Sequence, residues 1–250
     1  MNDPLFFVFA IPAVLLIGIS KGFGGLFVSL AVPLLALRID PVQAAAILLP
    51  ILCLADLVAL AQFRKSFNRH HIKIMVPGAL VGIALASILM GTLPSHAIRL
   101  IIGFIAISFC VNHWFFKRFT TERKPGKHAG YFWGFVAGFV STQAHAGGPP
   151  MAIYLFPQRM DKVTLAGTMV VFIAIVNYVK LIPYTLLGQF NAQNLFLSLV
   201  LAPLVVIGVR IGYWVLHKVE QRVVYHILYT LLFLTGCKLV VDGLNPYITG

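Results

Sequence analysis

The sequence predicts an all-α polytopic membrane protein made of two inverted repeats, each a broken, re-entrant-like helical hairpin followed by three transmembrane helices. Three observations carry that prediction: composition, the lengths of the apolar segments, and an internal duplication. Of 250 residues, 60% are hydrophobic and 10% charged, with a mean hydropathy of +0.93. Soluble chains carry roughly 25% charged residues, so this one lacks the polar surface needed to cover its apolar interior in water. The bilayer is its solvent.

Nineteen Lys and Arg against seven Asp and Glu give a formal charge of +12. Concentrated in short loops between apolar helices, such residues are an orientation signal of a membrane protein rather than a nucleic-acid surface. Cys53, Cys110 and Cys237 sit far apart in apolar runs, with no Cys or His at metal-ligand spacing, and read as packing residues. No metal or cofactor is expected. The first 25 residues lack a basic n-region and an A-x-A cleavage site, and are expected to belong to the mature fold.

A hydrocarbon core of roughly 30 Å needs about 20 helical residues. Segments 41–63, 72–91, 97–116, 162–187, 194–216 and 223–242 meet that length as single spans. Segments 5–37 and 129–157 are too long for one span, and glycine-rich sequence breaks each in the middle. Loop charge favours hairpins there. The loop holding Arg64, Lys65, Arg69 and Lys73 has no acid, and Lys117–Lys127 carries five basic residues against Glu122, so both are expected inside, with the uncharged turn 91–95 outside. If 129–157 crossed only once, the neutral loop 188–194 would face the cytoplasm and the basic loop 217–222 the exterior, inverting the rule twice. A hairpin restores it. Arms of roughly 14 residues, near 20 Å long, reach past the midplane.

The chain also answers itself. Gly18-Ile-Ser-Lys-Gly-Phe-Gly-Gly25 corresponds to the segment from Gly138 to Gly148, Asp40 to Asp161, and Pro77 with Gly82 to Pro203 with Gly208. The first repeat is thus 1–116, the cytoplasmic linker 117–128, and the second repeat 129–250. A hairpin plus three crossings carries the chain to the opposite side, which makes the repeats inverted. Broken helices meeting near the midplane are a common transporter arrangement.

Glycine breaks at membrane depth expose backbone that must be buried in protein or line an aqueous cavity. Lys21, Gly22, Gly24 and Gly25 form the first tip, and Thr142, Gln143, His145, Gly147 and Gly148 the second. A buried lysine, a histidine able to protonate and two helix N-termini together suit an anion. Close helix packing is the simpler role for the glycines, and a hydrogen-bonded neutral state the simpler one for His145. Asp56 is the one carboxylate well inside a span; its repeat counterpart is Asn177, with Lys180 one turn beyond on the same face. Asp56 is expected either to carry a proton or to neutralise Lys21 or Lys180 when substrate is absent. Lys238 is placed near a helix end, reaching toward headgroups.

These blocks resemble the sulfite exporter TauE/SafE family of membrane permeases over nearly the whole chain. The resemblance rests on GISKGFGGLFVSLAVPLLAL (18–37), QFRKSFNRHHIK (62–73), PGALVGIALA (77–86), STQAHAGGPPMAIYLFPQ (141–158), Gly167-Thr168 and NYVKLIPYTLLGQF (177–190). The first tip departs from the commoner family pattern in its lysine and in having fewer consecutive glycines. The resemblance implies a secondary permease, not an enzyme, that moves a small sulfur-containing anion such as sulfite, thiosulfate or an organosulfonate across the cytoplasmic membrane, the inner membrane if the source is bacterial. Alternating access about the hairpin tips is the expected mechanism, protons are the candidate coupling ion, and a homodimer the candidate assembly. An anion channel is the alternative. An intramembrane hydrolase is disfavoured because Ser141 and His145 lie across a break, away from the geometry a nucleophile and its base require.

Overall fold

The computed structural model describes residues 4–25, 28, 41–89, 95–115, 124–144, 146–186 and 192–248. Most of the second arm of the first hairpin, most of the 117–128 linker, the loops at 90–94 and 187–191, and His145 lie outside the described residues. The described residues form α1 (Pro4–Gly22), α2 (Pro41–Phe63), α3 (Arg69–Ile88), α4 (Ser95–Phe115), α5 (Lys127–Ala144), α6 (Gly148–Leu155), α7 (Lys162–Leu186), α8 (Ala192–Lys218) and α9 (Gln221–Ile248), with a 3₁₀ turn at Phe156–Gln158. No strand occurs among them. Stretches Arg69–Ile88, Lys162–Leu186, Leu195–Lys218 and Gln221–Leu244 are long and apolar enough to cross a membrane, and Ala10–Gly22, Ile47–Phe63 and Arg99–Val111 are shorter apolar helices. The chain is an all-α, multi-pass membrane protein.

Burial follows membrane rather than aqueous logic. Leu186, Ile88 and Leu199 are 82%, 77% and 71% exposed, while Ser20, Lys21, Asp56, Asn177 and Lys180 are buried. Apolar side chains facing lipid cost nothing, and polar ones must find partners inside. On α1 the buried residues Ala10, Ala13, Val14, Ile17, Ser20 and Lys21 fall at helical spacing, which gives one packing stripe with Val8 and Ile11 on the other side.

The helices gather into two compact units that interleave along the chain. The first comprises Met1–Asn68 with Lys162–Glu220, and the second Arg69–Asp161 with Gln221–Gly250. In the first unit α1 packs on α8, and α2 on both α7 and α8. In the second unit α3 packs on α5, α4 on α9, and the short α6 on α5. Each unit therefore takes helices from both halves of the sequence.

Glycines set the closest approaches. A Cβ on Gly18 would lie 2.6 Å from the Val205 carbonyl oxygen and 2.8 Å from the Gly208 Cα, and one on Gly22 would strike the Val209 carbonyl. In the second unit Gly82 abuts the Phe135 carbonyl and Gly138 the Ala79 carbonyl. Small residues let backbones meet where lipid offers no hydrophobic drive for association.

The second hairpin is asymmetric. Its first arm, α5, is 18 residues long, about 27 Å, while α6 has only 8, about 12 Å, so α6 cannot cross the hydrocarbon core. Arms of equal half-length, as expected from the sequence, are not what forms. Pro149 and Pro150 stand at the first turn of α6, where a missing N–H removes no intrahelical bond.

Candidate functional site

The ending of α1 positions the first unit's charged cluster. The Gly25 N–H donates to the Ser20 carbonyl (2.6 Å) and the Gly24 N–H to the Lys21 carbonyl (3.4 Å), the paired bonds of a Schellman cap. Gly24 has φ +109° and Gly25 φ +78°, a region where a side chain is strained. These two glycines thus end the helix, leaving Lys21 in its last turn, where the negative end of the helix dipole favours a cation. A Cβ on Gly25 would sit 3.6 Å from the Lys21 Cδ, so the glycine turn lies against the lysine stem.

Lys21 reaches inward to α2, where its Nζ forms a salt bridge with Asp56 Oδ1, both side chains being fully buried. From α7, the Asn177 Nδ2 donates to the other carboxylate oxygen at 2.6 Å. Both oxygens of Asp56 are therefore held, by donors on two different helices. Lys180, fully buried one turn beyond Asn177, lies within electrostatic reach of Lys21 and Asp56. Among the described residues the formal count is two ammonium groups to one carboxylate.

Neutral hydrogen bonds brace the cluster. The Tyr178 hydroxyl donates to the Cys53 carbonyl at 2.9 Å, tying α7 to α2 one turn from Asp56. The Ser198 hydroxyl donates to the Ile47 carbonyl at 2.7 Å, tying α8 to α2. The sequence reasoning did not single out either hydroxyl; a Tyr directly after Asn177 was the available signal.

Gly22 serves the α1–α8 contact. The described second-tip residues, Thr142, Gln143, Gly147 and Gly148, belong to the second unit and have local duties there; His145 lies outside the described residues. The Thr142 hydroxyl donates to the Gly138 carbonyl at 2.9 Å, and the Gln143 Nε2 to the Ala86 carbonyl at 3.0 Å, joining α5 to α3. Gly147 is the N-cap of α6, and a Cβ there would meet the Ala137 carbonyl oxygen and the Ser141 Cβ, each at 2.9 Å. Gly148, the first residue of α6, is buried.

Two further sequence features have structural explanations. A Cβ on Gly167 would collide with the Ser66 carbonyl, and Thr168 Oγ1 accepts from the Asn68 N–H at 2.9 Å. The Gly-Thr pair thereby fastens the 64–68 turn onto α7. Lys238, expected to reach toward headgroups, is paired with Asp242 at 2.6 Å on the same helix. Among the described residues, no group of three or more His, Cys, Asp or Glu is placed to hold a metal ion.

The cluster holds one carboxylate between donors from two helices, with a second buried lysine, Lys180, close by. No curated protein and no solved structure matches the chain. The family model for the sulfite exporter TauE/SafE matches residues 10–239. With 250 residues in all, that match spans nearly every helix described above, and the chain belongs to the sulfite exporter TauE/SafE family of membrane transporters.

Proposed function

We propose that this chain is a secondary transporter that moves a small sulfur-containing anion, such as sulfite, thiosulfate or an organosulfonate, across the cytoplasmic membrane by alternating access. Membership of a sulfite-exporter family supports the substrate class. The observation that carries the reading within this chain is the buried set Lys21, Lys180 and Asp56. Among the described residues two amines stand against one carboxylate, a formal excess of one cation in a region where charge is costly. An incoming anion cancels the excess, and its several oxygens accept from ammonium and amide donors together.

The test is counterflow in proteoliposomes containing the full chain, preloaded with one unlabelled anion and given a labelled trace outside. The panel is sulfite, thiosulfate, an alkanesulfonate and, as a contrast, acetate. Transient accumulation above equilibrium for a sulfur anion, saturating with concentration, is the expected result. Flux that rises without saturation and shows no counterflow assigns a channel instead. Absence of flux for every sulfur anion overturns the reading.

A further inference from the structure

Asp56 is an unusual thing to find on a cationic anion-binding pair. Its Oδ1 is held by the Lys21 ammonium and its Oδ2 by the Asn177 amide at 2.6 Å. The arrangement is a two-point receptor for a two-oxygen anion, assembled from α1 and α7 and already filled by a carboxylate carried on α2. A free anion that uses the same donors must first displace that carboxylate. Displaced but still ionised, Asp56 would be a buried anion without its partners beside another anion, an arrangement that is strongly disfavoured. Protonation removes the conflict: a neutral carboxyl tolerates the neighbouring anion and can donate a hydrogen bond to it.

We propose that Asp56 is a tethered occupant of the anion site, so that a transported anion takes the place of its carboxylate on Lys21 and Asn177 while one proton binds Asp56. This inference rests on the sulfur-anion transporter reading and adds its coupling. The proton comes from the aqueous phase that delivers the anion and forms an O–H bond on Asp56, as the N–H···O contacts from Lys21 and Asn177 break. On the far side the anion leaves, the proton returns to water, and the carboxylate closes again on its two donors. The empty site is thereby kept paired during the return step. Among the described residues, the charged and titratable groups that reach Asp56 are Lys21 from α1, Lys180 and Tyr178 from α7, and Cys53 on its own helix. Packed on α2 as well, α8 brings the neutral Ser198 hydroxyl. Lys180 is the competing titratable group, because losing its proton would also weaken an anion.

Thiosulfate separates these possibilities, since it stays a dianion from about pH 6 to about pH 9 and its own ionisation does not enter. Its affinity for the purified full chain is measured across that range by isothermal titration. Uptake of one proton with the anion makes wild-type affinity fall about tenfold per pH unit. Asp56→Asn is expected to bind with a flat profile, and Lys180→Met to keep the slope. A flat wild-type profile overturns the proposal; so does a slope that survives in Asp56→Asn or vanishes in Lys180→Met, and so does a folded Asp56→Asn protein that binds nothing at any pH. Should Asp56→Asn not fold, the wild-type and Lys180→Met profiles decide the matter. A wild-type chain that binds thiosulfate and exchanges it in counterflow, yet shows no pH dependence, leaves the transporter reading standing while this one falls.

Discussion

The two units are built on the same kind of seam and differ in what they bury beside it. In the first, Gly18 of α1 meets Gly208 of α8; in the second, Gly138 of α5 meets Ala79 of α3, with Gly82 against Phe135. The helices concerned stand in corresponding positions of the two halves, yet each seam joins one half to the other. Beyond the seams the units part. The first holds a fully buried ion pair, Lys21–Asp56, between residues 35 apart in sequence. The second has Lys238–Asp242, a pair four residues apart on one helix, with side chains 29% and 24% exposed. At its hairpin break the second unit offers Thr142 and Gln143, neutral groups that bond to backbone carbonyls. Glycine seams thus serve both units alike, while among the described residues the fully buried charges, Lys21, Asp56 and Lys180, lie in the first.

Breaking the charge should produce the largest effect. Asp56→Ala leaves Lys21 buried without its carboxylate, and loss of one partner of a buried pair costs about 3–5 kcal/mol. Thermal unfolding in detergent should show the loss, with much of it restored in Lys21→Met combined with Asp56→Leu, which removes the ammonium left without its carboxylate and is not expected to bind anion. A single variant as stable as wild type would place Lys21 in water. The seams come next. Gly18→Ala and Gly138→Ala each force a Cβ into a facing backbone and should cost about 1–3 kcal/mol, to a similar extent in both units. A large effect in only one would show that the seams are not equivalent. Single interhelical hydrogen bonds follow: Tyr178→Phe in the first unit and Gln143→Leu in the second should each cost about 0.6 kcal/mol. The smallest change is expected at the half-buried pair on α9, where Asp242→Ala should cost no more than about 0.5 kcal/mol because the two groups sit one turn apart on a single helix. An Asp242→Ala loss rivalling that of Asp56→Ala would erase the contrast between the two ion pairs.

Fold class was legible in the sequence because bilayer thickness imposes a minimum length on every apolar span, and a composition this poor in charge leaves one solvent. Asp56 stood out for a related reason, since a carboxylate within an apolar run needs a partner. Which partner it takes could not be read: Lys21 and Lys180 both fit, and the choice of Lys21 depends on a glycine cap that aims the end of α1 at α2. The seams were hidden more deeply. Gly22 and Gly138 have the same local signature whether they face a ligand or another helix, and the partner helix of Gly22 starts 170 residues further on, at Ala192. The glycine break of the second hairpin falls where the sequence places it, with Gly147 as the N-cap of α6, but the arms are 18 and 8 residues rather than roughly 14 each, because α5 continues helical to Ala144.

The interleaving of the units has a consequence for how the chain is made. A ribosome adds about 5–20 residues per second, so α1 waits roughly 10–30 s before α8, its main packing partner, begins to appear. During that interval α1 holds a lysine that a lone helix in hydrocarbon would tolerate poorly. Asp56 follows Lys21 by only 35 residues and emerges with α2, within roughly 2–7 s at the same rates. The counterion thus reaches the lysine long before the scaffold does, and this ion pair, whatever it does in the finished protein, is able to act as a chaperone for its own insertion.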